Sequence, residues 1–133
     1  MYIDFILTRD EPQIDTIARR VFPGELSDGF FVLDLPGRFA VGGLIQISFE
    51  RDEHGSFEVE VYAEELGSGE SRVVRNWLID VPPTDDEWEI PRVHTRGFIA
   101  EFNVEDEAEF ALAVYIDRRF VGERCLKVCS AQV

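Results

Sequence analysis

Lysine occurs once in the 133 residues, at Lys127, and the other twelve of the 13 basic residues are arginines. Against them stand 27 Asp and Glu, a formal charge of −14. Nucleic-acid binders need Lys and Arg to neutralise phosphates, so no direct nucleic-acid binding is expected. The same deficit argues against docking on an anionic membrane surface. Basic partners remain open. No apolar run approaches the ~18 residues that a transmembrane helix requires. The opening residues, Met1-Tyr2-Ile3-Asp4-Phe5, hold neither a positive n-region nor an apolar h-region, so no secretory leader is expected.

Sulfur is scarce as well. The two cysteines are Cys125 and Cys129. On a strand they share one face about 13 Å apart, at ~3.3 Å per residue, which is too far for a disulfide. Free thiols fit a reducing compartment, and the expected location is cytoplasmic. Histidine occurs only as His54 and His94. A His-based catalytic triad or His-rich metal site therefore has little to draw on. No Gly-x-Ser-x-Gly elbow and no phosphate-cradling glycine loop occurs. The expectation is that the protein is not an enzyme and carries no cofactor.

What is present is alternation of apolar and polar residues with a period of two. The chain is 45% hydrophobic and of a length for one domain, 1–133. Ile3, Phe5 and Leu7 fall on one face of residues 2–8. Apolar or alternating runs recur at 30–35, 39–50, 57–63, 72–81, 97–104, 110–116 and 120–128. The cleanest is 57–63, with Phe57, Val59, Val61 and Ala63 facing in and Glu58, Glu60 and Tyr62 facing out. Turn signals separate several runs: Asp52-Glu53-His54-Gly55, Gly67-Ser68-Gly69 and Asp117-Arg118-Arg119. About eight short strands predict a mainly β fold, an antiparallel sandwich or barrel. Gly42-Gly43 inside a strand pattern reads as a bulge or a close backbone approach.

One segment carries a different period. Ile14, Ile17, Ala18, Val21 and Phe22 fall at i, i+3, i+4, i+7 and i+8. Asp10 can cap the start, Pro12 suits the first turn, and Pro23-Gly24 stop the run. The spacing predicts one short N-terminal helix over one end or face of the sheets.

The stretch from Phe110 to Val128 reads as a closing hairpin around Asp117. It resembles the C-terminal hairpin of a group of functionally uncharacterised bacterial proteins with an immunoglobulin-like sandwich fold. Asp117, Val121, Leu126 and Val128 occupy the matching places, and Arg118 stands where that turn usually has Gly. The run Phe39 to Phe49, Glu50 to Gly55 and Phe57 to Tyr62 is similar to that family's central hairpin, as is Asp4-Phe5-Ile6-Leu7 to its opening. The resemblance covers about half the chain. It implies an antiparallel immunoglobulin-like β-sandwich and no activity.

Three surfaces qualify as sites. Glu58, Glu60 and Glu64 share one side of a strand with Tyr62, with Glu50 and Asp52 nearby, and can form a docking face for a basic protein partner. Trp88 sits among acids in a proline-bracketed loop and can act as an exposed aromatic anchor. Asp85 and Asp86 in that loop, with Glu105 and Asp106 before a late strand, supply oxygens of the kind that Ca²⁺ takes. The leading expectation is a non-catalytic accessory or interaction module of a bacterial or phage cytosolic system. It binds through the acidic strand face, a sheet edge or the Trp88 loop. A free edge also leaves room for a homodimer by sheet extension. The alternatives are a Ca²⁺- or carbohydrate-binding sandwich module and an acidic inhibitor that mimics nucleic acid.

Overall fold

A computed structural model describes residues 1–15, 17, 20–84 and 92–131. Ten strands are present among them and no helix. β1 (Tyr2–Thr8), β5 (Gly37–Phe49) and β8 (Arg92–Val104) form a three-stranded sheet in the order β1-β5-β8. β4 (Phe30–Leu33), β10 (Arg119–Ser130), β9 (Ala108–Ile116), β6 (Gly55–Glu65) and β7 (Ser71–Val81) form a five-stranded sheet in the order β4-β10-β9-β6-β7. The eight alternating runs are all strands of these two sheets.

Two expectations need correction. The pairing is not purely antiparallel: β4 runs parallel to β10, with Lys127 opposite Phe30 and Ser130 opposite Leu33. The N-terminal helix is absent. In its place β2 (Gln13–Asp15) and β3 (Arg20–Phe22) form a small antiparallel hairpin, with Ile14 opposite Val21. Four of the five residues that suggested a helical stripe, Ile14, Ile17, Val21 and Phe22, are β-branched or aromatic and lose rotamer freedom in a helix. Asp15 also turns the chain by accepting the Ile17 N–H at 3.0 Å. Most of such a stripe also lacks a core face to bury. Ile17 is 96% exposed and Phe22 53%.

The two sheets bury their alternating inner residues against each other. Phe5, Ile45, Ile47, Phe49 and Phe98 come from one sheet, and Val59, Val61, Ile79, Leu112, Val114, Leu126 and Val128 from the other. Aromatic rings bridge the layers. Phe49 meets Phe57 at 4.9 Å, Phe102 meets Phe110 at 5.0 Å, and Trp77 on β7 meets Phe98 at 6.2 Å. Each large side chain buried this way stabilises the fold by roughly 1.5–3 kcal/mol.

The outer faces differ. On the three-stranded sheet the chain after β1 crosses over β5 and β8. A Cβ at Gly42 would strike the Asp10 carbonyl and the Thr8 hydroxyl, and one at Gly97 would sit 3.3 Å from Pro12. The glycine pair at 42–43 is thus a close approach, with the Phe98 ring against Gly43 from the inside.

Candidate functional site

The outer face of the five-stranded sheet has no such cover among the described residues. Strand register decides what meets there, because directly opposed residues point to the same side. Glu58 lies beside Leu78 of β7. Glu60 lies between Asn76 of β7 and Tyr115 of β9, and Tyr62 lies between Val73 and Ala113. Glu64 lies between Ser71 and Ala111. Together Glu58, Glu60, Tyr62, Glu64, Ser71, Tyr115 and Arg118 line an open depression of about 500 Å³.

The β9–β10 turn fixes one end of it. Asp117 and Arg118 both adopt positive φ, 48° and 65°, which a two-residue hairpin turn matching the strand twist requires. For non-glycine residues that conformation carries strain. Asp117 offsets it by binding β6 twice. Its Oδ1 accepts the Glu58 N–H at 2.9 Å, and its own N–H donates to the Glu58 carbonyl at 2.8 Å. The turn sets Arg118 at the rim, where its charge partly offsets that of Glu58.

Inside the depression the carboxyl groups are paired. A side-chain hydrogen bond with Glu60, and the repulsion of its charge, raise Glu58 above the ordinary carboxylate range. Glu58 therefore holds a proton more readily than an isolated glutamate does. The Tyr62 hydroxyl donates to Glu60 Oε2 at 2.7 Å, and that bond raises the tyrosine's own pKa. Glu60 is 9% exposed, beneath the rings. Tyr62 and Tyr115 meet edge to face at 5.3 Å, and Tyr115 meets Phe120 at 5.8 Å in the same way. The result is a row of three rings beside two adjoining carboxyls.

The sequence-predicted residues thus separate into groups. Glu58, Glu60, Tyr62 and Glu64 come together on one face. Glu50 and Asp52 lie instead at the β5–β6 turn, with His54. Trp88, Asp85 and Asp86 lie outside the described residues. Glu105 and Asp106 are exposed in the turn between β8 and β9 and do not line the depression. Among the described residues no three His, Cys, Asp or Glu side chains gather in a metal-binding cluster. Cys125 and Cys129 are free thiols on β10. His94 is half-buried on β8 with its ring edge-on to Phe49 at 5.5 Å.

Sequence reasoning missed Tyr115 and Arg118 as members of the site. Alternation along 110–116 does place Tyr115 on the outer face, but only the β6–β9 register places it beside Glu60. The chain matches no protein-family model and no curated protein.

Proposed function

We propose that the protein is a non-catalytic interaction module that docks a basic protein partner on the outer face of its five-stranded sheet. The observation that carries this reading is the adjoining Glu58 and Glu60 carboxyls beside the Tyr62 and Tyr115 rings, on a face that no other described segment covers, in a chain of charge −14. An arriving guanidinium or ammonium group takes the place of the proton that Glu58 tends to hold. The ring faces add cation–π attraction. Exposed Val73 on β7 gives the partner apolar contact at the margin.

The strand orders β1-β5-β8 and β4-β10-β9-β6-β7 support a finer reading of the fold as an immunoglobulin-like sandwich. The connections β5–β6, β7–β8 and β8–β9 cross between the sheets, while β6–β7 and β9–β10 are hairpins, as a Greek key requires. Free thiols favour a cytoplasmic setting. The bacterial or phage assignment rests on the hairpin resemblance alone.

The test is binding of an Arg-rich peptide, measured by calorimetry at low and high salt. Glu58→Lys with Glu64→Lys is expected to weaken binding at least tenfold. The control Glu105→Lys with Asp106→Lys, of equal charge change, is expected to leave most of it. Equal losses in the two variants would mean a diffuse charge effect and would sink the docking face.

The ring row Tyr62–Tyr115–Phe120 favours one second reading, a carbohydrate platform. A glycan panel read by thermal shift separates the two, because a ligand that binds only the native state stabilises it.

A further inference from the structure

The five-stranded sheet also ends in an open edge. β7 is its last strand, and among the described residues nothing pairs with the far side of β7. The direction of its free backbone groups follows from Glu58. Both the N–H and the carbonyl of Glu58 bond to Asp117, on the β9 side. Leu78, opposite Glu58, is therefore a non-hydrogen-bonded partner of β6. It turns its own N–H and C=O to the open edge. Alternation gives Asn76 and Asp80 the same direction. Pairing is regular through these residues, and the register shift falls beyond them, where Val61 meets Arg75 and Tyr62 meets Val73.

We propose that this edge pairs antiparallel with the same edge of a second copy of the chain, with Leu78 at the two-fold axis. In that register Leu78 packs on Leu78 of the second copy, covering a side chain that is 66% exposed in the monomer. Asn76 of each copy faces Asp80 of the other. Asp80 uses one carboxylate oxygen to accept the Ser56 hydroxyl at 2.5 Å and keeps the second for the Asn76 amide. Trp77 faces Ile79 on the inner side. About six backbone hydrogen bonds form between residues 76 and 80 of the two copies.

Charge and sequence select this arrangement over its neighbours. Two copies at −14 repel almost everywhere, but residues 76–80 carry one charge, and the register gives it a donor. Centring on Asp80 would set two carboxylates face to face and bring Pro82, which has no N–H, opposite Leu78. Centring on Asn76 would draw the irregular turn of the strand at Val74 into the pair. The 78-centred dimer is one continuous sheet with both acidic faces on the same side. It is bivalent toward any partner with repeated basic sites. The pairing does not depend on the docking reading, since neither Glu58 nor Glu60 contributes a side chain to it.

Sedimentation equilibrium from micromolar to millimolar protein tests it. The wild type is expected to show a reversible dimer. Asn76→Asp places two carboxylates opposite each other at both symmetry-related pairs and is expected to weaken the dimer about tenfold. The double variant Asn76→Asp with Asp80→Asn exchanges the two roles and is expected to restore it. Leu78→Pro removes an N–H that the monomer does not use, so it is expected to leave a folded monomer by thermal melt and no dimer. A wild type that stays monomeric throughout would overturn the proposal. So would a dimer that survives Leu78→Pro, or a double variant no tighter than Asn76→Asp. Should Leu78→Pro fail to fold, the Asn76 and Asp80 pair of variants decides alone.

Discussion

The outer faces of the two sheets are built from the same alternation and used in opposite ways. On the three-stranded sheet the chain covers its own face, and glycines at 42 and 97 give it the room. On the five-stranded sheet no other segment among the described residues crosses over Glu58, Glu60, Tyr62 and Tyr115, which meet only their neighbours in the same sheet and the Asp117–Arg118 turn at one end. A covered face tolerates no added bulk. An uncovered one tolerates charge, rings and strain, so it is where recognition has room to develop. The contrast predicts an asymmetry in mutational cost.

Gly42→Ala gives the sharpest test. Its new Cβ meets backbone atoms of Asp10, which have no flexible side chain through which to yield. Overpacking of this kind costs about 1–3 kcal/mol, and contact with backbone puts this site near the top of that range. Ser71→Ala, on the open face of the other sheet, is expected to change stability by no more than about 0.5 kcal/mol. Urea denaturation of both variants measures the gap. Equal costs would break the comparison.

The open face should also show a proton that a partner displaces. The raised pKa of Glu58 means that the free protein holds a proton at pH values where an ordinary glutamate has lost it. A cation that binds the deprotonated pair releases that proton. Affinity for a basic peptide is therefore expected to rise with pH above about 4.5, by at most about tenfold per unit for one proton. It should level off once Glu58 is fully ionised. Glu58→Gln is expected to bind more weakly and to lose the slope. Parallel slopes in the two proteins would place the titrating group elsewhere.

The same alternation explains how much of this the amino-acid order revealed. A strand with one face in the core repeats every two residues, so the eight sheet strands, and the shared face of Glu58, Glu60, Tyr62 and Glu64, follow from local spacing. Pairing between distant segments leaves no such local mark. The parallel match of Phe30 with Lys127, and of Tyr115 with Glu60, depends on register across the sheet. The segment from Ile14 to Phe22 failed for the converse reason. Its apolar residues have helical spacing, but Ile17, Val21 and Phe22 have no core beneath them, and with so little burial the β-branched residues settle in a hairpin.

His94 extends the comparison to the inner side of the three-stranded sheet. Burial lowers its pKa, and the charges of Arg96 and Arg92 on the same strand lower it further. A base with a depressed folded-state pKa takes up protons more readily when unfolded. Its contribution to stability is therefore present above about 6.5 and is lost as pH falls below it. The thermal midpoint is expected to drop between pH 7 and 5, and His94→Gln to flatten that segment of the profile. Glu58 contributes with the opposite sign, since its raised pKa favours the fold at low pH and the benefit fades as pH rises above about 4.5. Glu58→Gln measured alongside separates the two contributions.

A small stability effect is expected of Tyr62→Phe, and it is the most informative about the open face. The substitution keeps the ring, and with it the edge-to-face contact with Tyr115. It removes only the hydroxyl that donates to Glu60. A hydrogen bond of this kind is worth about 0.5–1.5 kcal/mol, and water at this half-open position takes over part of it, so the loss should lie at the lower end. The consequence for Glu58 is larger than the stability change suggests. Without the tyrosine donor, Glu60 has Glu58 as its remaining side-chain hydrogen-bond partner. Glu60 then draws on the Glu58 proton more strongly, and Glu58 should titrate at still higher pH, as followed by NMR of the carboxyl carbons. An unchanged value would mean that the ring, which the substitution keeps, rather than the hydroxyl, governs the pair. The face would then act as an aromatic platform with incidental charge, the arrangement that the carbohydrate reading requires.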